Sequence, residues 1–150
     1  MLEIYNFYII TTTATFDYNQ ISRKEFLQRI IIGHEKYQTY LIRYDNEIAG
    51  FCFLTQYRKK EAYTRTAEIG LYLKPEFTHK GIGKSAVAFL EKAAISKEIK
   101  VILASISGEN AASITLFQKM GYDKCAHFKQ IAEKFGRVLD VIDYEKILVN

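Results

Sequence analysis

The stretch "AEIGLYLKPEFTHKGIGKSAVAFLEKAA", residues 67–94, constrains this chain more than any other. Its first part alternates. Ala67, Ile69, Leu71 and Leu73 are apolar, and Glu68, Gly70 and Tyr72 stand between them. A period of two is a strand with two unlike faces. Gly70 inside it predicts a bulge or a close backbone approach. Pro75 ends the strand. From Gly81 the period changes. Ile82, Ala86, Leu90 and Ala93 recur at helical spacing with Val87 and Ala94 beside them, and Lys84, Glu91 and Lys92 fall opposite. A strand, a loop, two glycines and an amphipathic helix require a sheet with a helix packed on it, an α/β arrangement.

The flanking segments extend that sheet. The first ten residues read as a helix and "TTTATFDYNQ" as a loop. Ser22 to Glu25 fits a capping box, ahead of a helical pattern carrying Phe26, Leu27, Ile30, Ile31 and His34. "QTYLIRY" and "EIAGFCFLTQY" read as strands joined by the turn pair Asp45-Asn46. "KVILASI" is a buried strand, Asn110 to Lys119 a short helix, and two last strands flank Gly136. The expectation is one domain over residues 1–150. Its sheet is mixed, mostly antiparallel, and flanked by helices.

Totals exclude several functions. A formal charge of +4 suits a small anionic ligand but is no nucleic-acid footprint. No run approaches about 18 apolar residues, and no secretory leader is visible, so no membrane partner is expected. Cys52 and Cys125 lie far apart and form no CxxC pair, which predicts buried thiols in a reducing cytoplasm. His34 and His127 have no partners at metal-ligand spacing, so both are read as structural and no metal is expected.

Gly81-Ile82-Gly83-Lys84-Ser85 suggests phosphate binding. A Walker loop needs a glycine where Thr78 stands and an Asp ending the next strand; both are missing. A dinucleotide fingerprint needs an acidic residue closing a later strand, also missing. What remains is a helix N-terminus whose free N–H groups, dipole and neighbouring His79, Lys80 and Lys84 would hold a pyrophosphate. A glycine turn with solvated lysines fits the local pattern equally well.

The surroundings favour the first. Residues 67–94, followed by "ISGENAASITLFQKMGYD", resemble the two acetyl-CoA-binding segments of the GCN5-related N-acetyltransferase (GNAT) superfamily, in the same order and spacing. "IYNFYIITTTATFD", "KKEAYTRTAEIGLYL" and "FGRVLDVIDYEKIL" are similar to the phosphinothricin and methionine sulfoximine N-acetyltransferase subfamily. The resemblance implies a GNAT fold with acetyl-CoA as co-substrate and a small amine as acceptor. It allows a homodimer. It makes Glu68 the general base. It gives Leu71, Tyr72 and Leu73 main-chain contacts to the pantetheine arm, and it gives His79, Lys80, Gly81, Ile82, Gly83, Lys84 and Ser85 the pyrophosphate. Asn110 has two compatible readings, a helix N-cap that its position supports and a pantetheine contact that the resemblance implies; the cap alone fits equally well.

This chain departs from the pattern at three places. Phe117 stands where a Tyr often protonates the leaving thiolate, and phenylalanine has no proton to give. Lys60 stands where an Arg suits an acceptor carboxylate; it is a point charge, not a fork. The superfamily's first strand is expected to be missing, because the chain begins almost directly on a helix. No cysteine lies in these motifs, so transfer is expected without a covalent enzyme intermediate. The rival expectations are a peptide or protein amine as acceptor and a module that binds acyl-CoA without chemistry.

Overall fold

The structure is a computed structural model and describes residues 1–148. Its elements are α1 (Leu2–Thr11), α2 (Arg23–Arg29), β1 (Gln38–Tyr44), β2 (Glu47–Gln56), β3 (Thr66–Leu73), α3 (Ile82–Ser96), β4 (Val101–Ser107), α4 (Ala111–Lys119), β5 (Asp123–Lys134) and β6 (Arg137–Ile147). The strands form one sheet in the order β1-β2-β3-β4-β6-β5. Among the described residues only the β3–β4 pair is parallel; the other neighbours are antiparallel. The mixed, mostly antiparallel sheet flanked by helices is the expected one. The described chain leads with α1, and β1 lies at a sheet edge.

Local chemistry explains most boundaries. Asp45 and Asn46 both take positive φ (48° and 66°), the two-residue hairpin turn that matches strand twist. At α2, Ser22 accepts from the Glu25 N–H while the Glu25 carboxylate accepts from the Ser22 N–H, closing the capping box. That helix stops at Arg29, short of the pattern that ran to His34. The cause is tertiary. The Ile31 N–H donates to Thr39 Oγ1 (3.0 Å) and the Ile31 carbonyl accepts from the Thr39 N–H (2.7 Å). The β-branched run Ile30-Ile31-Ile32 is thus drawn onto β1 rather than continuing a helix it favours weakly. His34 closes a turn, its Nδ1 accepting from the Lys36 and Tyr37 N–H groups.

Two apolar layers clamp the sheet. Behind it, α3 buries Ala86, Val87, Leu90 and Ala94 against Cys52, Leu54, Ala67, Ile69, Ile102 and Ala104. In front, Ile4 and Ile9 of α1 and Phe26 of α2 cover Phe51, with Phe53 and Tyr72 beside them. Each strand's alternation sorts its residues between these layers. Gly70 makes no bulge, because the β2–β3 register runs unbroken. It is a close approach: a Cβ there would lie 2.0 Å from Cζ of Phe53. Cys52 is buried, which pushes its thiol up to about 12. Cys125 corrects the expectation of two buried thiols. It is exposed on β5, where its Sγ donates to the Asp143 carbonyl (3.4 Å).

One departure from regularity positions the site. β3 pairs with β4 only over Thr66–Glu68 against Val101–Leu103. Beyond those residues the two strands part, and β3 keeps only its β2 partner up to Leu73.

Candidate active site

The parting strands open a cleft of about 590 Å³, within the usual range for ligand sites. Glu68, Gly70, Leu71, Tyr72 and Leu73 form one wall, Ala104, Ser105, Ile106 and Ser107 the other. Residues of the α3 turn and of α4 close one end, and Thr12, Thr13 and Ala14 of the α1–α2 loop complete the lining, with Thr13 against Ser107 and Glu109.

The ladder fixes which main-chain groups are free. The Lys74 N–H donates to the Ala49 carbonyl (2.8 Å) and the Lys100 N–H to the Arg65 carbonyl (2.8 Å). Main-chain groups alternate in direction along an antiparallel strand. Even-numbered residues of β3 therefore turn theirs toward β2, and odd-numbered residues turn theirs into the cleft. Leu71 and Leu73 present N–H and C=O groups there; Tyr72 does not and contributes its side chain instead. One of these acceptors is occupied, since Tyr8 donates its hydroxyl to the Leu73 carbonyl at 2.6 Å.

At the closed end His79 (φ 57°) and Gly81 (φ 78°) both adopt left-handed backbone, folding the chain sharply into α3. No side chain caps that helix, and the first helical bond runs from the Ser85 N–H to the Gly81 carbonyl. The N–H groups of Ile82, Gly83 and Lys84 are left without helical partners. No acidic residue lies in the first turn, and Lys84 stands there instead. A cation at that pole opposes the helix dipole, so the end is set for an anion rather than for its own stability. Nothing lies within 4 Å of a Cβ built on Gly81, so the approach is open. A Cβ on Gly83 would meet Leu116 at 3.2 Å, so that glycine serves the packing of α3 on α4.

The turn residues divide between two sides. His79, Gly81, Gly83 and Lys84 line the cleft. Lys80, Ile82 and Ser85 face a second hollow behind α3, beside Tyr40, Tyr44 and Phe89. The Lys80 ammonium lies over the rings of Phe77 (5.2 Å) and Tyr44 (5.9 Å), on that rear side. Ile82 is a core side chain. Of these three, the backbone N–H of Ile82 and Ser85 belongs to the helix turn, but their side chains do not face the cleft. Asn110 lines the cleft and caps α4, its Oδ1 accepting from the Ser113 N–H (3.1 Å).

Glu68 sits half-buried where β3 and β4 begin to part. Burial, reinforced by the charge of Asp143, raises its carboxyl above the ordinary glutamate value. A carboxylate so placed is primed to accept a proton. Phe117 is buried and packs edge-on against Tyr122 at 5.0 Å. Burial, reinforced by the charge of Glu91, raises Tyr122 above the ordinary tyrosine value. Lys60 is exposed and precedes the short turn Glu61–Tyr63, outside the cleft lining. Nearby Arg58 stacks on Tyr57 and Tyr63. Sequence reasoning missed Tyr8, Thr12, Thr13, Ser105 and Glu109, all of which line the cleft. Polar residues scattered over a helix, a loop and a strand share no period that would mark them.

The acetyltransferase (GNAT) family profile matches residues 2–122. The chain belongs to the GNAT family. Among GNAT relatives it is 29% identical to the phosphinothricin N-acetyltransferase of Streptomyces coelicolor, over 99% of this chain and 89% of that one. Its fold superposes on a GNAT phosphinothricin acetyltransferase from Sinorhizobium meliloti, solved in complex with AcCoA, with a TM-score of 0.91 and 26% identity, covering 98% of this chain and 80% of that one. It is equally like a ribosomal-protein-alanine N-acetyltransferase from Brucella melitensis, with a TM-score of 0.89 and 27% identity over 98% and 91% of the two chains. Among the described residues of this GNAT chain, no helix is long and apolar enough to cross a membrane, and no group of His, Cys, Asp and Glu is placed to hold a metal ion.

Proposed function

We propose that this chain moves an acetyl group from acetyl-CoA to the primary amine of a small amino-acid-like acceptor, of the phosphinothricin or methionine sulfoximine type. The observation that carries this reading is the parting of β3 from β4 directly beyond Glu68. It brings three features into one cleft: a half-buried carboxylate, a strand edge with free main-chain groups at Leu71 and Leu73, and an uncapped helix N-terminus. The last two fit the pantetheine arm and pyrophosphate of acetyl-CoA, one as strand-like pairing, the other as anion binding.

Acetyl-CoA supplies a thioester whose carbonyl carbon takes the amine nitrogen while the carbon–sulfur bond breaks. The chain's residues do the rest. Glu68 takes the proton from the acceptor ammonium, directly or through a water. His79, Gly81, Gly83 and Lys84 hold the anionic end, and Asn110 offers its remaining amide donors at the α4 end. Phe117 donates nothing, so the thiolate takes its proton from solvent. Lys60 meets the acceptor carboxylate only if the turn carrying it closes inward.

The similarity to the ribosomal-protein-alanine enzyme favours a second reading, in which the acceptor is a protein N-terminal amine. One assay separates the two. Free thiol release from acetyl-CoA is followed with methionine sulfoximine, phosphinothricin, or an alanine-terminated peptide, against a blank without acceptor. Release with the amino-acid analogues alone supports the first reading. Release with the peptide alone moves the acceptor class. No release above the blank, together with measurable coenzyme A binding, overturns catalysis and leaves a binding module.

A further inference from the structure

Lys134, the last residue of β5, is a cation with no exposed surface. Burial lowers its ammonium below the ordinary lysine value, with Asp17 opposing. None of the ion pairs among the described residues includes it. Its Nζ donates to the main-chain carbonyl of Thr15 at 2.6 Å and lies 5.0 Å from the Phe135 ring centre. A cation kept out of water without a carboxylate is costly, and an apolar side chain of similar volume would often pack at least as well. What the ammonium does that an apolar group could not do is hold one carbonyl of the α1–α2 loop.

That loop forms a wall of the cleft through Thr12, Thr13 and Ala14. Further polar ties hold the same loop, while Ile21 near its end packs into the front core. Tyr18 donates its hydroxyl to the Glu133 carbonyl (2.6 Å), the residue before Lys134. Thr13 donates to Glu109 Oε2 (3.3 Å) and accepts from Ser107 Oγ (3.4 Å). Glu109 in turn pairs with Arg137, the first residue of β6 (3.2 Å). Tyr5 bridges Thr15 Oγ1 (3.0 Å) and Asp17 Oδ2 (2.6 Å). The end of the β5–β6 hairpin therefore holds the loop directly at residues 15 and 18, and at residue 13 through Glu109.

We propose that Lys134 is a positioning residue for the acceptor pocket, its buried ammonium fixing the Thr15 carbonyl so that residues 12–14 stand at a set distance from Glu68. This rests on the acetyltransferase reading of the cleft. The residue touches no reacting atom; it acts through the loop. On that reading acetyl-CoA is held by the α3 turn and the β3 edge, whereas the bond Lys134 makes goes to the α1–α2 loop. The two substrates should thus respond differently to its loss.

The test uses the full chain with Lys134→Met, which keeps bulk and removes the ammonium, and Tyr18→Phe, a change at an exposed side chain that removes the neighbouring tie and leaves the core untouched. Steady-state constants are measured for acceptor and for acetyl-CoA separately, and amide hydrogen exchange is read over residues 12–18 and over α3. The expected result is an acceptor KM raised about five-fold or more in Lys134→Met and about two-fold in Tyr18→Phe, with the acetyl-CoA KM within about two-fold of wild type. Exchange should quicken over residues 12–18 and not over α3. A merely structural lysine would move both constants together, and an irrelevant one would move neither; either pattern overturns the proposal. If Lys134→Met does not fold, Tyr18→Phe alone decides by the same split. If the wild-type chain acetylates no acceptor, the functional reading fails separately. The clamp is then judged by exchange: unchanged protection of residues 12–18 in both variants refutes it.

Discussion

Gly70→Ala tests the packing on the face of β3. The backbone there is not left-handed, so the cost is steric alone. The new Cβ would lie 2.0 Å from Cζ of Phe53 and 2.5 and 2.6 Å from its two Cε atoms. Carbon contacts are comfortable at about 3.5–4.0 Å, so the ring must retreat by roughly 1.5 Å or more. It cannot retreat freely, since Phe51, Phe53 and Tyr72 stack with ring centres 5.2–6.5 Å apart. Overpacking of this kind costs about 1–3 kcal/mol. For a domain of this size that lowers Tm by about 2–12 °C, at roughly 2–4 °C per kcal/mol. The assay is a double-mutant cycle by thermal melts, with Phe53→Leu as the second site. Shortening the ring opens the space the methyl needs, so in the Phe53→Leu background the Gly70→Ala penalty should fall by about half or more. Full additivity, or a Gly70→Ala chain as stable as wild type, would refute the claim that Gly70 exists to seat this ring.

The other predictions concern the site. Glu68→Gln should lower kcat by about 10²–10⁴-fold, the usual worth of a general base, with acetyl-CoA affinity within about two-fold by calorimetry. Because the folded-state pKa of Glu68 is raised, the stability linked to it is present at acid pH and lost as pH rises through that value. Glu68→Gln should therefore melt higher than wild type near neutral pH, and the gain should shrink toward zero below the ordinary glutamate pKa. Lys84→Ala should raise the Tm of the ligand-free chain slightly by relieving the helix pole, while weakening coenzyme A binding about three- to ten-fold. Melts with and without coenzyme A check both halves.

Much of this molecule was legible in its sequence, for reasons that differ by element. The Asp45-Asn46 hairpin and the Ser22–Glu25 box are local chemistry that needs no tertiary partner. The period change from residues 67–73 to 82–94 gave the strand and helix of the site, because each packs one face on the core. The end of α2 was not legible, since Thr39 takes the Ile31 main chain from a distance in sequence. Nor was the turning of Lys80 to the rear side, which follows from left-handed backbone at His79 and Gly81 on either side of it. Cys125 looks like any buried thiol until β5 is seen as an edge strand with one neighbour. Lys134 carries no signal at all: a lysine near a strand end is ordinarily solvated, and only the fold of the α1–α2 loop over it makes it internal.

The odd-numbered main chain of β3 has a consequence for inheritance. If the pantetheine arm is read by the amide and carbonyl of Leu71 and of Leu73, the side chains at those positions answer to the core behind the sheet and not to the ligand. Selection for cofactor recognition then acts on the path of the backbone, which many sequences can encode. Substitutions can accumulate along this wall without touching affinity. If Glu68 is the base that meets the acceptor, its side chain is exposed to selection directly. A single strand would then evolve at two speeds, conserving a donor through its shape while leaving the choice of acceptor open to change.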